Sequence, residues 1–336
     1  MINFKYKRLF SLVVISGAFL LLLQACKKDK VVNNNNTGLD NRIGNIITDN
    51  FNLSLFNAAL NYTGLYPQLN STQTLTVLAP DDPSFNNAGY SSAVSVRAAN
   101  KAVLTQVIRY HVLAGKYDFN TLPFLFNQEV KTIDGLSMYV TRWVKGKDTV
   151  LTVNGTQIVS KNLPGSNGLI QVINAVLTPS TYPLLTQAIA SNDSLTFFSQ
   201  ALLRANLNST LQANGPYTVF APTNGAFKAM GYASLDSINH TSPATLNALL
   251  KYQMLSGRKF VYDYVLSTDS TNISKQAMLD GNNLTVNVQQ DPYTLKYTGI
   301  TLQGIVNTSP VTLINQNILT GNGVLHVINR VLKPNF

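Results

Sequence analysis

The chain has 336 residues, enough for two domains of ordinary size, and 45% of them are hydrophobic, enough to fill two cores. Its net charge of +10 overstates its basicity. Residues 1–30 hold six Lys or Arg and one Asp, and the rest carries 19 basic and 14 acidic residues. That mild surplus, with no Lys/Arg cluster interleaved with aromatics, argues against a nucleic-acid partner, and a lone cysteine rules out an internal disulfide or a Cys-based metal centre.

In chain order, Lys5, Lys7 and Arg8 precede an apolar run over residues 9–23. The run is shorter than the roughly 20 residues of a spanning helix. It closes in Leu23-Gln24-Ala25-Cys26, which resembles a bacterial lipobox. We expect a signal peptide over residues 1–25 and a lipid on Cys26; an uncleaved anchor with an incidental cysteine is the alternative. Residues 26–40 read as a flexible tether, because Lys27-Lys28-Asp29-Lys30 and the Asn run that follows bury too little to order themselves. The charged tetrapeptide resembles surface-export signals of Bacteroidota lipoproteins. The expected location is therefore the outer membrane, lipid-anchored, facing the cell surface or the periplasm.

From there the chain repeats. Thr76-Val77-Leu78-Ala79-Pro80 returns 142 residues later as Thr218-Val219-Phe220-Ala221-Pro222, and residues 167–179 return at an offset of 155 as 322–334. The second copy thus carries 13 extra residues in its middle. We expect two domains, residues 41–179 and 180–336. Leu53, Phe56, Ala59 and Leu60 form one apolar helix face, matched by Leu195, Phe198, Ala201 and Leu202, with Asn52 and Ser194 as expected caps. A short strand over 74–78 or 217–220 should stop at Ala-Pro. Asp81-Asp82-Pro83 and Thr223-Asn224 then start a helix that Phe85 and Phe227 anchor. Leu104, Val107, Ile108 and His111 mark the next helix, with Leu246, Leu249, Leu250 and Gln253 in copy two. The rest of each copy alternates as strands with Asp-Gly and Asn-Gly turns, and the final strand, 170–177 or 325–332, is apolar almost throughout. Helices first and strands last predict an α+β domain.

These elements resemble the fasciclin-type domain. The Thr-Val-(Leu/Phe)-Ala-Pro strand with its following Phe matches the family's first block, Tyr110-His111 its Tyr-His element, and residues 323–334 its second block. The resemblance covers residues 41–334 and implies a β-wedge or sandwich with helices packed around it. It also implies extracellular or surface adhesion and matrix interaction, without catalytic motifs. Three departures stand out. Asn174 and Asn329 occupy a position that is usually Asp, Tyr252-Gln253 replaces Tyr-His, and the animal family's integrin-binding peptides have no counterpart.

Candidate chemistry is sparse. His111 aligns with Gln253 and Gln171 with His326, so each copy holds one His and one Gln. We expect 111 with 171, and 253 with 326, to meet as structural hydrogen-bonded pairs; two locally satisfied residues is the alternative. Neither copy keeps both histidines, which disfavours a metal or a general base. His240 is expected in solvent. Asp81-Asp82 reads as helix capping rather than a carboxylate pair, since copy two has Thr223-Asn224. No nucleophile elbow, metal-binding His motif or phosphate loop occurs, so no catalytic residue, cofactor or metal is expected, and a hydrolase is the least favoured reading. Trp143, beside Arg142, Lys145 and Lys147 in a hairpin over 139–153, either stacks on a sugar ring or pins its own hairpin. Copy two replaces that region with a longer stretch bearing Tyr293 and Tyr297, further candidate ligand contacts. Asp148-Thr149-Val150, Asp193-Ser194-Leu195 and Asp236-Ser237-Ile238 resemble O-glycosylation acceptors of exported Bacteroidota proteins. The expected partner is an extracellular protein or polysaccharide, with the membrane reached through the N-terminal lipid. A glycan-binding accessory of an outer-membrane polysaccharide-uptake system is the alternative.

Overall fold

In the computed structural model, residues 41–213, 215–294 and 296–335 are described; the expected signal peptide, tether and Cys26 lie outside them. Helices form first in each half. In domain 1, α1 (Ser54–Thr63), α2 (Asp82–Asn87) and α3 (Lys101–Tyr110) turn Phe56, Leu60, Phe85 and Ile108 inward. The expected caps Asn52 and Ser194 do not cap. A short 3-10 turn precedes α1, with Asn50 accepting from Asn52 N. The first turn of α1 is closed from a distance, Leu55 N donating to Asp82 Oδ1 at 2.8 Å. Asp81 caps α2 itself, accepting from Ser84 N. Copy two repeats both devices, through Thr223 to Ala226 N and through Asn224 to Phe197 N. The Asp81-Asp82 pair is thus two caps for two helices.

Seven strands follow the order β2-β1-β7-β6-β5-β4-β3, from β1 (Leu75–Pro80) and β2 (Val112–Ala114) through β3 (Gln128–Lys131), β4 (Ser137–Lys145), β5 (Asp148–Val153), β6 (Thr156–Gly165) and β7 (Gly168–Ile173). Only β1 and β7 run parallel, and a Leu113–Thr132 bridge ties the two ends into a nearly closed sheet. Strand β1 runs through Ala-Pro rather than stopping before it: Pro80 pairs with Ile173 as the last residue of the ladder, and the next bond comes from Asp81 N. Leu75, Val77 and Ala79 face the helices, while Leu78 joins Tyr110, Phe119, Met138 and Val140 inside the curled sheet. Both faces are covered, which is why these strands have no polar side. Gly168 opens β7 because a Cβ there would lie 1.8 Å from Leu75 O; Gly323 meets Tyr217 O the same way at 2.2 Å.

Domain 2 repeats the plan with α4 (Thr196–Arg204), α5 (Asn224–Ala229) and α6 (Pro243–Lys251). Its strands are β8 (Tyr217–Pro222), β9 (Met254–Ser256), β10 (Ile273–Ala277), β11 (Asn283–Gln290), β12 (Tyr297–Gln303), β13 (Val311–Thr320) and β14 (Gly323–Ile328). They follow the same topology. The 13 extra residues fall mainly at three places. Residues 291–296 replace the Gly146-Lys147 turn, residues 304–310 replace Asn154-Gly155, and the β9–β10 connection gains α7 (Val261–Ser267), a helix the strand pattern does not foretell. Each half has its own helix-side and sheet-interior cores; the described cluster that spans them is small, with Tyr139 packed on Phe260, Leu319 and Val324. No helix among the described residues is long and apolar enough to cross a membrane.

Candidate interaction site at the domain junction

Most polar side chains that both copies keep are committed to the backbone. The motif threonine donates to the carbonyl of a turn glycine and accepts the N–H two residues further on: Thr76 with Gly115 O and Tyr117 N, Thr218 with Gly257 O and Lys259 N, at 2.8–2.9 Å. Tyr110 and Tyr252 each donate to a β-strand carbonyl, Ser137 O and Asn283 O. Asn174 and Asn329 accept the N–H of Gln157 and Thr312 through their amide oxygens.

The expected pairs of 111 with 171 and 253 with 326 do not form, because each side chain is satisfied by other partners. His111 Nδ1 donates to Val107 O at 2.7 Å and Nε2 accepts from Leu177 N at 2.9 Å. Gln253 donates to Leu249 O and accepts from Leu332 N. Both therefore tie the end of a helix to the segment after the last strand. Gln171 and His326 instead hold the bulge of the preceding strand. Gln171 Oε1 accepts from Asn162 N, and His326 Nδ1 accepts from Asn317 N, with both Asn residues at positive φ. His326 Nε2 then donates to Lys259 O. Burial pushes both histidines down to about 4, against the pull of the carbonyls they face. Each works as a neutral imidazole, one nitrogen donating and the other accepting. His240 is exposed and bonded to Asp236 O one turn back. Among the described residues no group of three or more His, Cys, Asp or Glu is arranged to hold a metal ion.

The feature that sequence reasoning missed is the joint between the domains. Helix α7 carries Asp263 in the middle of the apolar run Phe260–Leu266, and that lone charge was the available signal. Its buried carboxylate accepts from Phe260 N (2.8 Å) on its own domain, and from Asn127 Nδ2 (2.9 Å) and Thr141 Oγ1 (3.2 Å) of domain 1. Asn127 Nδ2 also donates to Arg258 O. Desolvation raises Asp263 to about 6 despite these donors and nearby Lys259. The Arg258 guanidinium lies 4.0 Å over the Tyr139 ring and donates to the carbonyls of Thr320, Gly321 and Gly323. Gln157 donates to Tyr262 Oη, and Lys145 to Thr268 O and Oγ1. A Cβ on Gly155 would lie 2.5 Å from Phe260 Cβ, so the β5–β6 turn also abuts domain 2.

Beside this joint opens a cleft of about 400 Å³, lined by Lys145, Gly146, Thr268, Asp269, Ser270, Asn272, Gln290 and Tyr297. Lys145 lies 5.8 Å from the Tyr297 ring centre, whose edge-on partner is Tyr262. Of the three expected ligand contacts, Tyr297 alone lines the cleft. Trp143 is half-buried against Phe126, with ring centres 4.5 Å apart, which packs the hairpin over 139–153 on the segment before β3. Tyr293 is 93% exposed on a loop folded around Asp291 Oδ1, which accepts from Tyr293 N and Thr294 N. The cleft offers hydroxyl, amide, ammonium, carboxylate and aromatic surface, the means of binding a polar ligand by hydrogen bonds and stacking.

The description "Fasciclin domain" matches the chain twice, over residues 51–179 and 193–334. The chain belongs to the fasciclin domain family. Human periostin is 27% identical over 281 residues, 80% of this chain and 29% of that protein. The pig transforming growth factor-beta-induced protein ig-h3 is 27% identical over 274 residues, 81% of this chain and 35% of its own length. Protein sll1483 of Synechocystis is 28% identical over 166 residues, covering 48% of the chain and 79% of that protein. The chain thus spans about a third of the two animal relatives. A solved fasciclin pair, described as the FAS1 domain pair of the insect cell adhesion molecule fasciclin I, aligns over 83% of this chain and 95% of its own, at 17% identity and a TM-score of 0.39. In family terms, the junction is a contact between two fasciclin domains made by a helix that the first domain does not have.

Proposed function

We propose that this chain is a non-catalytic adhesion protein of the cell surface. A lipid on Cys26 holds it to the outer membrane, and its two fasciclin domains engage an extracellular protein or polysaccharide. One observation carries this reading: the polar motif residues that both copies share, Thr76/Thr218, Tyr110/Tyr252 and Asn174/Asn329, are committed to the backbone, so what remains for function is the surface loops, where the copies differ. Loops of that kind set partner choice. The test compares cells lacking the gene with cells carrying the intact chain or Cys26→Ser, scored for attachment and biofilm. Attachment that survives deletion overturns adhesion, and an unmodified Met1 by mass spectrometry of the isolated protein overturns the anchor.

A glycan-binding accessory role in polysaccharide uptake is the second reading, favoured by the Tyr297–Lys145 cleft and by exposed Tyr293. Retention on a glycan array that falls with Tyr297→Ala or Tyr293→Ala supports it. Retention indifferent to both removes it.

A further inference from the structure

Loop 304–310, where domain 1 has a two-residue turn, is firmly tied. Asn307 Nδ2 donates to Val331 O (2.9 Å) and its Oδ1 accepts from Lys333 N (2.8 Å). Ile305 N donates to Tyr252 Oη (3.2 Å), and Val306 N to Lys333 O (3.3 Å). A Cβ at Gly304 would lie 2.2 Å from Asn307 Oδ1, so the loop closes onto the segment after β14 only because that residue is glycine. The result is a small cleft in which Thr308 and Ser309 face the same space as Arg330 and Lys333, above Ala226 and Met230. Among the described residues, the side chains of Arg330, Lys333, Thr308 and Ser309 have no hydrogen-bond or ion-pair partner. Copy one has Ala175 and Thr178 where copy two has Arg330 and Lys333, so the loop and the two cations occur together.

We propose that this cleft binds the sulfate or phosphate ester groups of an anionic polysaccharide. A guanidinium fork and an ammonium match a tetrahedral oxyanion. Two hydroxyls supply donors for its remaining oxygens. The tied loop is already in place, so little ordering opposes binding. Ile305 and Val306, both about half exposed on the same loop, and Met230 in the cleft offer apolar surface to the C–H faces of sugar rings, which favours a polysaccharide over a free ion. The site shares no residue with the junction cleft and does not depend on the adhesion reading.

The test titrates the purified full chain by calorimetry with dextran sulfate, uncharged dextran and sodium sulfate at about 0.1 M salt. Dextran sulfate is expected to bind and dextran not. Arg330→Gln/Lys333→Gln should weaken binding about tenfold or more, and Thr308→Val/Ser309→Ala should weaken it measurably, both at an unchanged thermal midpoint. The charge-matched pair Lys116→Gln/Lys147→Gln should leave it unchanged. Equal loss in both Gln pairs means diffuse attraction and overturns the site, as does binding indifferent to Arg330 and Lys333. Phosphatidylglycerol vesicles that bind with the same residue dependence, in place of dextran sulfate, would transfer the site to a lipid headgroup and overturn the polysaccharide. Because purified protein is read, failure of the cell-attachment test does not bear on this result.

Discussion

His111 and Gln253 perform one task with different chemistry. Each donates to the carbonyl one helical turn back, Val107 O or Leu249 O, and each accepts the backbone N–H that follows the last strand, Leu177 N or Leu332 N. An imidazole fixed in one tautomer and a primary amide present the same donor–acceptor pair. His111→Gln should therefore cost less than about 1 kcal/mol, whereas His111→Ala strands Leu177 N, opens a cavity and should cost about 2–4 kcal/mol. Urea unfolding of domain 1, followed by near-UV signal, checks the contrast.

The same geometry sets an acid limit. Both buried histidines titrate near 4 in the folded chain, below the ordinary value of 6.5. Between those values the unfolded chain holds more protons, so stability is fully present above pH 6.5 and drains as pH falls to 4. Each histidine accounts for up to about 3 kcal/mol. His111→Gln/His326→Gln should flatten the stability profile in that window. An unchanged slope would show that the imidazoles are not the acid-sensitive groups.

Asp263 acts in the opposite direction. Its folded value of about 6 lies above the ordinary 3.8, so its contribution is present below pH 3.8 and lost as pH rises to 6. Asp263→Asn keeps an oxygen for Asn127 and Phe260 and turns an N–H toward Thr141 Oγ1, which can accept. We expect this substitution to be neutral or stabilising by about 1–3 kcal/mol at pH 7, with the gain vanishing near pH 4. Asp263→Leu, which leaves the donors unmet, should destabilise at both pH values. Paired denaturation curves at pH 7 and pH 4 decide it.

Thr76→Val preserves volume but strands Gly115 O and Tyr117 N. A loss of about 1–3 kcal/mol is expected, and Thr218→Val should do the same to domain 2. Calorimetric transitions assigned to each domain test whether the effect stays local.

Gly168→Ala should abolish folding of domain 1, since its Cβ would sit 1.8 Å from Leu75 O and force β1 and β7 apart. Gly64, at φ +81° with open space around it, is the control: Gly64→Ala meets only backbone strain of about 1 kcal/mol. Soluble yield and far-UV circular dichroism separate the two.

Much of the architecture was legible along the chain. The repeat announced two domains, and the order of helices before strands announced the mixed fold, because periodicity and turn chemistry are local. The buried Phe, Leu and Ile faces followed from the same periods. The hydrogen-bond partners did not. Asp82 closes a helix 27 residues earlier, and Gln171 grips a bulge nine residues before it rather than His111. Two polar residues exchanged between aligned copies look like partners in a linear comparison, whereas both substitutions are resolved by backbone groups that the sequence does not place.

By itself the sequence determined the repeated α+β domain, the family and the absence of shared catalytic motifs, since those reside in composition and local pattern. Only the tertiary structure decided which groups Asp263, Arg258, Trp143 and the inserted loops meet. Their roles depend on which backbone carbonyls and side chains approach from the other domain or from across a sheet, and folding brings together groups more than 100 residues apart, such as Asn127 and Asp263, whose separation along the chain carries no sign of their contact.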